Sequence, residues 1–415
     1  MKLTRRWRVV WLVVCMLVSA ALAWEMPFAK PADVGMSGAK LAQVNVAVQK
    51  LVDEQKVAGA ITVVARKGKI VHFETFGMRD IETKKPMERD TIMRFYSMTK
   101  PIASVAAMIL YDEGKFQLDD PLAKHIPEFE GLKVYKKSED GEAEYVEPTR
   151  QVTVRDLMRH TSGFTYGIFS NTAVDKMYRQ KLVFGGGDLQ AMAKKLAQIP
   201  LLHQPGTRWH YSVSTDVLGH LVERLSGQKL DAFFKERIFK PLDMKDTGFY
   251  VPKEKAYRFS SCYGPKEPGG LKVTTRLGAG QFLTPPTFLS GGGGLVSTAR
   301  DYVRFCQMLL NKGELNGVRL LKTETVEIMT KNQLPPNVFW GGNNGFGLGF
   351  SVRLEPAPAG KAHVGEYGWG GAASTHFWIS PEDDLAVVAL SQYMPFSGQL
   401  QDAVKPLVYN ALIAD

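Results

Sequence analysis

Cysteine is nearly missing from this chain. Of 415 residues only Cys15, Cys262 and Cys306 are cysteine, which excludes a disulfide framework and any thiolate-rich metal fold. An exported chain has the option of bridging Cys262 to Cys306, but one bridge makes no framework, so a fold of this length must stand on its apolar core. The eight histidines include no HExxH and no tight ligand spacing, so neither a metal nor a cofactor is expected. No G-x-S-x-G nucleophile elbow occurs, which argues against an α/β-hydrolase with a Ser-His-Asp triad. GGGG at Gly291–Gly294 lacks the Lys-Ser or Lys-Thr of a phosphate loop and reads as a place where backbone approaches closely. The net charge is +10, but no cluster of Lys and Arg interleaved with aromatics appears, so nucleic acid is not an expected partner.

Four of those positive charges stand at the start. Lys2, Arg5, Arg6 and Arg8 precede the apolar run VVWLVVCMLVSAALA, which closes on the small-x-small triplet Ala21-Leu22-Ala23. This reads as a signal peptide over residues 1–23 and predicts an exported protein, periplasmic or secreted, with no membrane association once it is cleaved. A retained anchor is the alternative, although the run is short for a span of about 20 residues. Cys15 follows Val14 where a lipoprotein signal wants a small residue, and Arg5-Arg6 only partly resembles a twin-arginine signal. Removal of the segment takes the formal charge from +10 to +6.

Downstream, AGAITVVAR and KIVHFETFG alternate as two strands about the turn Lys67-Gly68. From Ser97 to about Leu310 most periodic segments are helical. TVRDLM and STARDYVRFCQMLL each begin with a Thr three residues before an Asp, the capping-box spacing. Strands return in FGLGFSVRL, STHFWIS and LAVVALSQY, and a helix over about Gln399–Leu412 ends the chain. Strands at both ends must meet to bury their apolar faces. The expected fold class is therefore α/β (α+β): an antiparallel sheet flanked by N- and C-terminal helices, built from residues 24–95 and 330–415, with a large, mostly helical region at 96–329 inserted. A site is expected at the seam between the two.

SMTK, Ser97 to Lys100, sits at that seam. Two other Ser-x-x-Lys spacings, SGAK at Ser37 and SGQK at Ser226, read as a helix N-cap and a helix end. SMTK instead precedes IASVAAMIL, too apolar all round for a surface, so Ser97 stands at the mouth of a buried helix. Free amides there favour a developing negative charge, and Lys100 lies about one turn along. Burial and the positive helix end both disfavour a charged lysine, and a neutral Lys100 would serve as base to a nucleophilic Ser97. Pro101 biases its predecessor away from helix, so a late or bent helix start is expected.

Tyr211, just ahead of the helix STDVLGHLVERL, is a candidate second proton carrier. Trp369-Gly370-Gly371-Ala372 enters the strand STHFWIS, where glycines admit a ligand to the backbone, and the amide of Ala372 is placed to join that of Ser97 as an oxyanion hole.

In this order, SMTK, YSV and WGG resemble the serine β-lactamase and penicillin-binding-protein superfamily, closest to the family VIII carboxylesterases with their class C β-lactamase fold. The resemblance extends through HTSGF at His160–Phe164, GGGGLVSTARD at Gly291–Asp301 and GEYGWGGAAST at Gly365–Thr375. It implies Ser97, Lys100 and Tyr211 as the catalytic set, with the amides of Ser97 and Ala372, Trp369-Gly370-Gly371 and Val213 about the substrate. Val213 stands where the lactamases have the Asn of Tyr-x-Asn, and Trp369-Gly370-Gly371 stands where they have Lys-Thr-Gly. His363-Val364-Gly365 also matches that third motif but lies farther from the strand. Losing a fork for a carboxylate removes charge-assisted bonds worth roughly 1.5–3 kcal/mol each. A small-molecule, short-chain or otherwise small uncharged ester is thus the expected substrate. A β-lactamase or D-alanyl-D-alanine carboxypeptidase, and a non-turning-over β-lactam-type sensor, are the alternatives.

Overall fold

The computed structural model describes residues 25–137, 141–357 and 362–413, so the expected signal segment lies outside the described residues. Its frame is an eight-stranded sheet. In chain order the strands are β1 (Gly59–Arg66), β2 (Lys69–Asp80), β3 (Lys85–Pro86), β4 (Asn344–Phe346), β5 (Ser351–Arg353), β6 (Tyr367–Gly371), β7 (Thr375–Ser380) and β8 (Leu385–Ser391). In space they run β4-β5-β6-β7-β8-β1-β2-β3, every pair antiparallel. The two ends of the chain meet where Val63 of β1 faces Val388 of β8.

Each face of β1 buries a different set of side chains, which is why the strand is apolar throughout instead of alternating with polar residues. Ala60 and Val64 pack beneath helix α1 (Gln43–Asp53) and the C-terminal helix, with Val44, Val48, Val404 and Val408. Ile61, Val63 and Ala65 pack on the opposite side into the large core shared with the helical region. The turn Lys67-Gly68 has φ of 51° and 71°, a left-handed pair that suits a tight hairpin between right-twisted strands.

Several local expectations hold. Ser37 accepts the Lys40 amide, Gly227 closes its helix in the left-handed region, and Thr153 with Asp156 forms a reciprocal capping box at the helix Val154–Met158. Others need correction. FGLGFSVRL is not one strand: Gly347 donates to Phe350 O and folds the segment into the hairpin β4–β5. Trp369-Gly370-Gly371 leads into the strand β7 as expected, but it is itself the end of another strand, β6, in the interior of the sheet. At Ala299–Leu310, Thr298 caps the Asp301 amide, but the Asp301 carboxylate accepts from Asp246 N and Thr247 Oγ1, drawn away to a tertiary partner. Cys262 and Cys306 are free, buried thiols in separate core clusters, so no bridge joins them.

Candidate active site

Ser97 lies in a single 3-10 turn, Tyr96–Met98, that runs directly into helix α2 (Thr99–Asp112). Tyr96 has φ of 43°, an uncommon conformation for a bulky residue. Its ring is held edge-on against Phe282 at 5.6 Å. Such local strain concentrates at functional sites. α2 is buried from Thr99 to Leu110, and Pro101 neither delays nor bends its start. Pro101 falls in the first turn, where the backbone N–H has no intrahelical acceptor to lose. Lys100 stays helical despite the following proline, and its side-chain nitrogen is tied on three sides.

Those ties are the first feature of the site. Lys100 Nζ lies 3.4 Å from Ser97 Oγ and donates to Tyr166 OH at 3.0 Å and to Gly292 O at 2.6 Å. The lysine is 1% exposed. Tyr211 OH lies 2.6 Å from Ser97 Oγ, and Lys100 Nζ stands 4.6 Å from the Tyr211 ring centroid. The three residues singled out for catalysis therefore meet around one oxygen. Both groups in the Tyr211–Ser97 contact are hydroxyls, so a proton can move along it in either direction.

The Tyr211 ring is fixed by its neighbours, with Trp209 stacked at 6.1 Å, His160 at 5.0 Å and Trp369 at 5.8 Å. His160, from HTSGF, is wholly buried, and desolvation, aided by the positive Lys100, drives its pKa well below the ordinary imidazole value. It packs as a neutral ring.

The glycine run supplies the carbonyl that holds Lys100. A Cβ on Gly292 would meet Asp216 Oδ2 at 2.5 Å and Tyr166 OH at 2.8 Å, so the backbone can approach only without a side chain. Asp216 Oδ1 accepts the Gly292 amide at 3.0 Å and Ser290 Oγ at 2.5 Å. Desolvation of the fully buried Asp216 raises its pKa, against the lowering pull of Lys100 and these hydrogen bonds. Burial likewise drives the Tyr166 hydroxyl well above the usual phenol value, so Tyr166 is a neutral partner of Lys100.

At Gly371 an added Cβ would lie 2.1 Å from Phe95 O. This close approach sets the end of β6 against the turn carrying Ser97 and brings Ala372 to the same cavity. Two lobes meet at Ser97, Phe169 and Ala372. One, of about 530 Å³, is lined by Tyr211, Trp340, Trp369, Arg353 and Lys405 among others. The second, of about 410 Å³, opens beside Tyr166 and the glycine run. A larger cavity of about 710 Å³ lies elsewhere, among Lys235, Lys240, Asp243 and Asp246, and has no serine or cysteine in its wall.

Val213 does not join the site. It is fully buried in the core, its amide donates to Thr165 O, and it lines neither lobe. His363 of the alternative third motif pairs with Asp383 outside the lobes, leaving Trp369-Gly370-Gly371 as the strand beside Ser97. Sequence reasoning missed Tyr166, Asp216, Phe169 and Trp340. Only the glycine run carried a signal, of close backbone approach. Among the described residues no cluster of His, Cys, Asp and Glu is arranged to hold a metal, and no helix is long and apolar enough to cross a membrane.

Known proteins resemble this chain over most of its length. A family model described as Beta-lactamase matches residues 44–408. Protein Rv1367c of Mycobacterium tuberculosis (strain ATCC 25618 / H37Rv) is 38% identical over 362 residues, covering 84% of this chain and 89% of that protein. Esterase EstB of Burkholderia gladioli is 29% identical over 402 residues, covering 91% of this chain and 98% of that protein. The solved structure of EstCE1, described as a hydrolase with promiscuous acyltransferase activity, superposes with a TM-score of 0.77 at 27% identity, covering 89% of this chain and 99% of that one.

Proposed function

The chain belongs to the beta-lactamase family, and from that premise we propose that this serine hydrolase is an exported carboxylesterase acting through an acyl-enzyme on uncharged small-molecule esters. The observation that carries the reading is the position of Ser97 Oγ, 2.6 Å from Tyr211 OH and 3.4 Å from Lys100 Nζ, at the junction of two lobes. Similarity to Esterase EstB supports an ester as substrate.

In this mechanism the Tyr211–Lys100 pair enters one proton short of phenol plus ammonium, and it takes the Ser97 proton as Ser97 Oγ attacks the ester carbonyl carbon. The carbonyl oxygen takes the negative charge and is held by the amides of Ser97 and Ala372. The C–O bond to the alcohol breaks, and the same pair returns the proton to the leaving alkoxide. Water then attacks the acyl-serine, the pair again accepts and returns one proton, and the free acid leaves with Ser97 restored. Trp369, on β6 where the resemblance places a lysine, offers a ring face in place of an ammonium group, and Lys405 of the same lobe is paired with Glu366, which favours an uncharged ester over a penicillin.

Turnover of p-nitrophenyl acetate and nitrocefin by residues 24–415 and by Ser97→Ala tests the reading. Ester turnover that disappears in the variant is expected. Nitrocefin turned over in preference to the ester moves the assignment to a β-lactamase, and stoichiometric labelling of Ser97 without turnover moves it to a sensor. Export rests on the basic-apolar-small pattern of residues 1–23 and predicts a mature N-terminus at Trp24. N-terminal sequencing of the secreted or periplasmic fraction checks it.

A further inference from the structure

We propose that the lobe beside Tyr166 is an acyl-chain pocket and that the acid half of the substrate is a flexible alkyl chain longer than butyrate, beyond the short-chain expectation from sequence. The inference rests on the esterase reading and asks which lobe receives which half of the ester.

The two lobes differ in chemistry. The lobe that includes Tyr211 also carries Arg353, Glu366 and Lys405, whereas the lobe beside Tyr166 has no charged side chain in its wall. An ester carbonyl next to Ser97 sends its two substituents in opposite directions, one into each lobe. The leaving oxygen must take a proton, and Tyr211 lines the charged lobe alone. The alcohol half therefore faces Tyr211, and the acyl half is directed into the uncharged lobe. Water that later cleaves the acyl-enzyme enters the charged lobe after the alcohol has left it.

The wall of the uncharged lobe also continues outward as apolar surface. Ile168 is 50% exposed, Phe169 60%, Phe184 37% and Leu277 49%, and all four line this lobe. Large apolar side chains exposed together along one groove mark a surface that a ligand or partner covers. Here the groove is continuous with the nucleophile, so its occupant is the chain attached to the carbonyl at Ser97. Phe184 also stacks on the buried Tyr166 at 5.7 Å and meets Phe288 edge-on at 5.9 Å, a wall of rings against which methylenes pack without leaving a polar group unpaired. An acetyl group touches only the end of this lobe nearest Ser97. A longer chain covers the exposed rim as well, and each buried methylene raises transition-state affinity by up to about fourfold.

The experiment is kcat/KM for p-nitrophenyl acetate, butyrate, octanoate and laurate with the mature chain, then with Ile168→Asp and Leu277→Asp. Ile168 and Leu277 are 50% and 49% exposed, and neither packs a core. The expected result is a rise from acetate to octanoate and a tenfold or greater fall in the octanoate-to-acetate ratio in each variant. Acetate preferred over octanoate, or a ratio that neither variant moves, overturns the acyl-chain pocket while leaving the esterase intact. Silence toward every ester, acetate included, removes the esterase reading itself and this one with it.

Discussion

Asp216 Oδ1 accepts the amide of Gly292 at 3.0 Å, so a buried carboxylate on the helix Ser214–Ser226 anchors the loop whose carbonyl holds the active-site lysine. Lys100 is close to Ser97 in sequence, but Tyr211, Tyr166 and Gly292 reach this pair from 114, 66 and 192 positions away along the chain. Consequences for stability and rate follow from this arrangement.

Gly292→Ala places a methyl against Asp216 Oδ2 and Tyr166 OH, both inside 3 Å. The loop must move, which weakens the Gly292–Lys100 bond. At least a tenfold loss of kcat is expected, together with a lower unfolding midpoint in urea. Wild-type kinetics in this variant would show that the Gly292 carbonyl does not position Lys100.

Tyr211→Phe removes one hydroxyl and keeps the ring among Trp209, His160 and Trp369. Proton transfer by a positioned side chain contributes at least about a hundredfold. A loss of that order in kcat, with thermal stability close to wild type, is expected from steady-state kinetics and a melting curve. A change confined to KM would mean that Tyr211 binds substrate and carries no proton.

Ser97→Ala and Lys100→Ala are expected to separate on stability although both lose activity. Ser97 lines an open cleft, so its variant should melt near wild type. Lys100→Ala leaves the Gly292 carbonyl and Tyr166 hydroxyl without their buried donor, at a cost of about 1–3 kcal/mol for each unpaired group. Equilibrium urea unfolding of both variants, beside turnover, checks the pair.

Acid stability depends on Asp156, buried beneath Arg150. Burial by itself would raise the Asp156 pKa, but hydrogen bonds from Arg150, Thr161 and the Thr153 amide, with the Arg150 charge, outweigh it and lower the pKa to about 2. An unfolded aspartate titrates near about 3.9, so this group's contribution is present above that pH and is lost as pH falls through about 2. The expected size is about 2–3 kcal/mol. Between pH 4 and pH 2 the wild type should lose unfolding free energy more steeply than Asp156→Asn, and parallel curves would refute the assignment.

Much of this was legible from residues alone because it depends on local chemistry. A serine before an all-apolar helix, a glycine-rich strand end and Thr-x-x-Asp caps each state a backbone requirement that neighbouring residues meet. The strand β6 was less visible, since GEYGWGG has the composition of a turn. Its pairing with β7 and the approach of Gly371 to Phe95 O, 2.1 Å from where a Cβ would stand, override that tendency. FGLGFSVRL failed in the opposite sense: an apolar run looked extended but folds back between Gly347 and Phe350.

The sequence by itself brought out Ser97, Lys100 and Tyr211 as the candidate set and determined the class of fold, because periodicity and motif order survive without coordinates. Only the tertiary structure decided that Val213 packs in the core, that Tyr166 and the Gly292 carbonyl hold Lys100, and that the cleft divides into a charged and an uncharged lobe. Those features join residues tens to hundreds of positions apart. Their spacing is set by how helices and sheet bury their apolar faces against each other, and no local pattern records it.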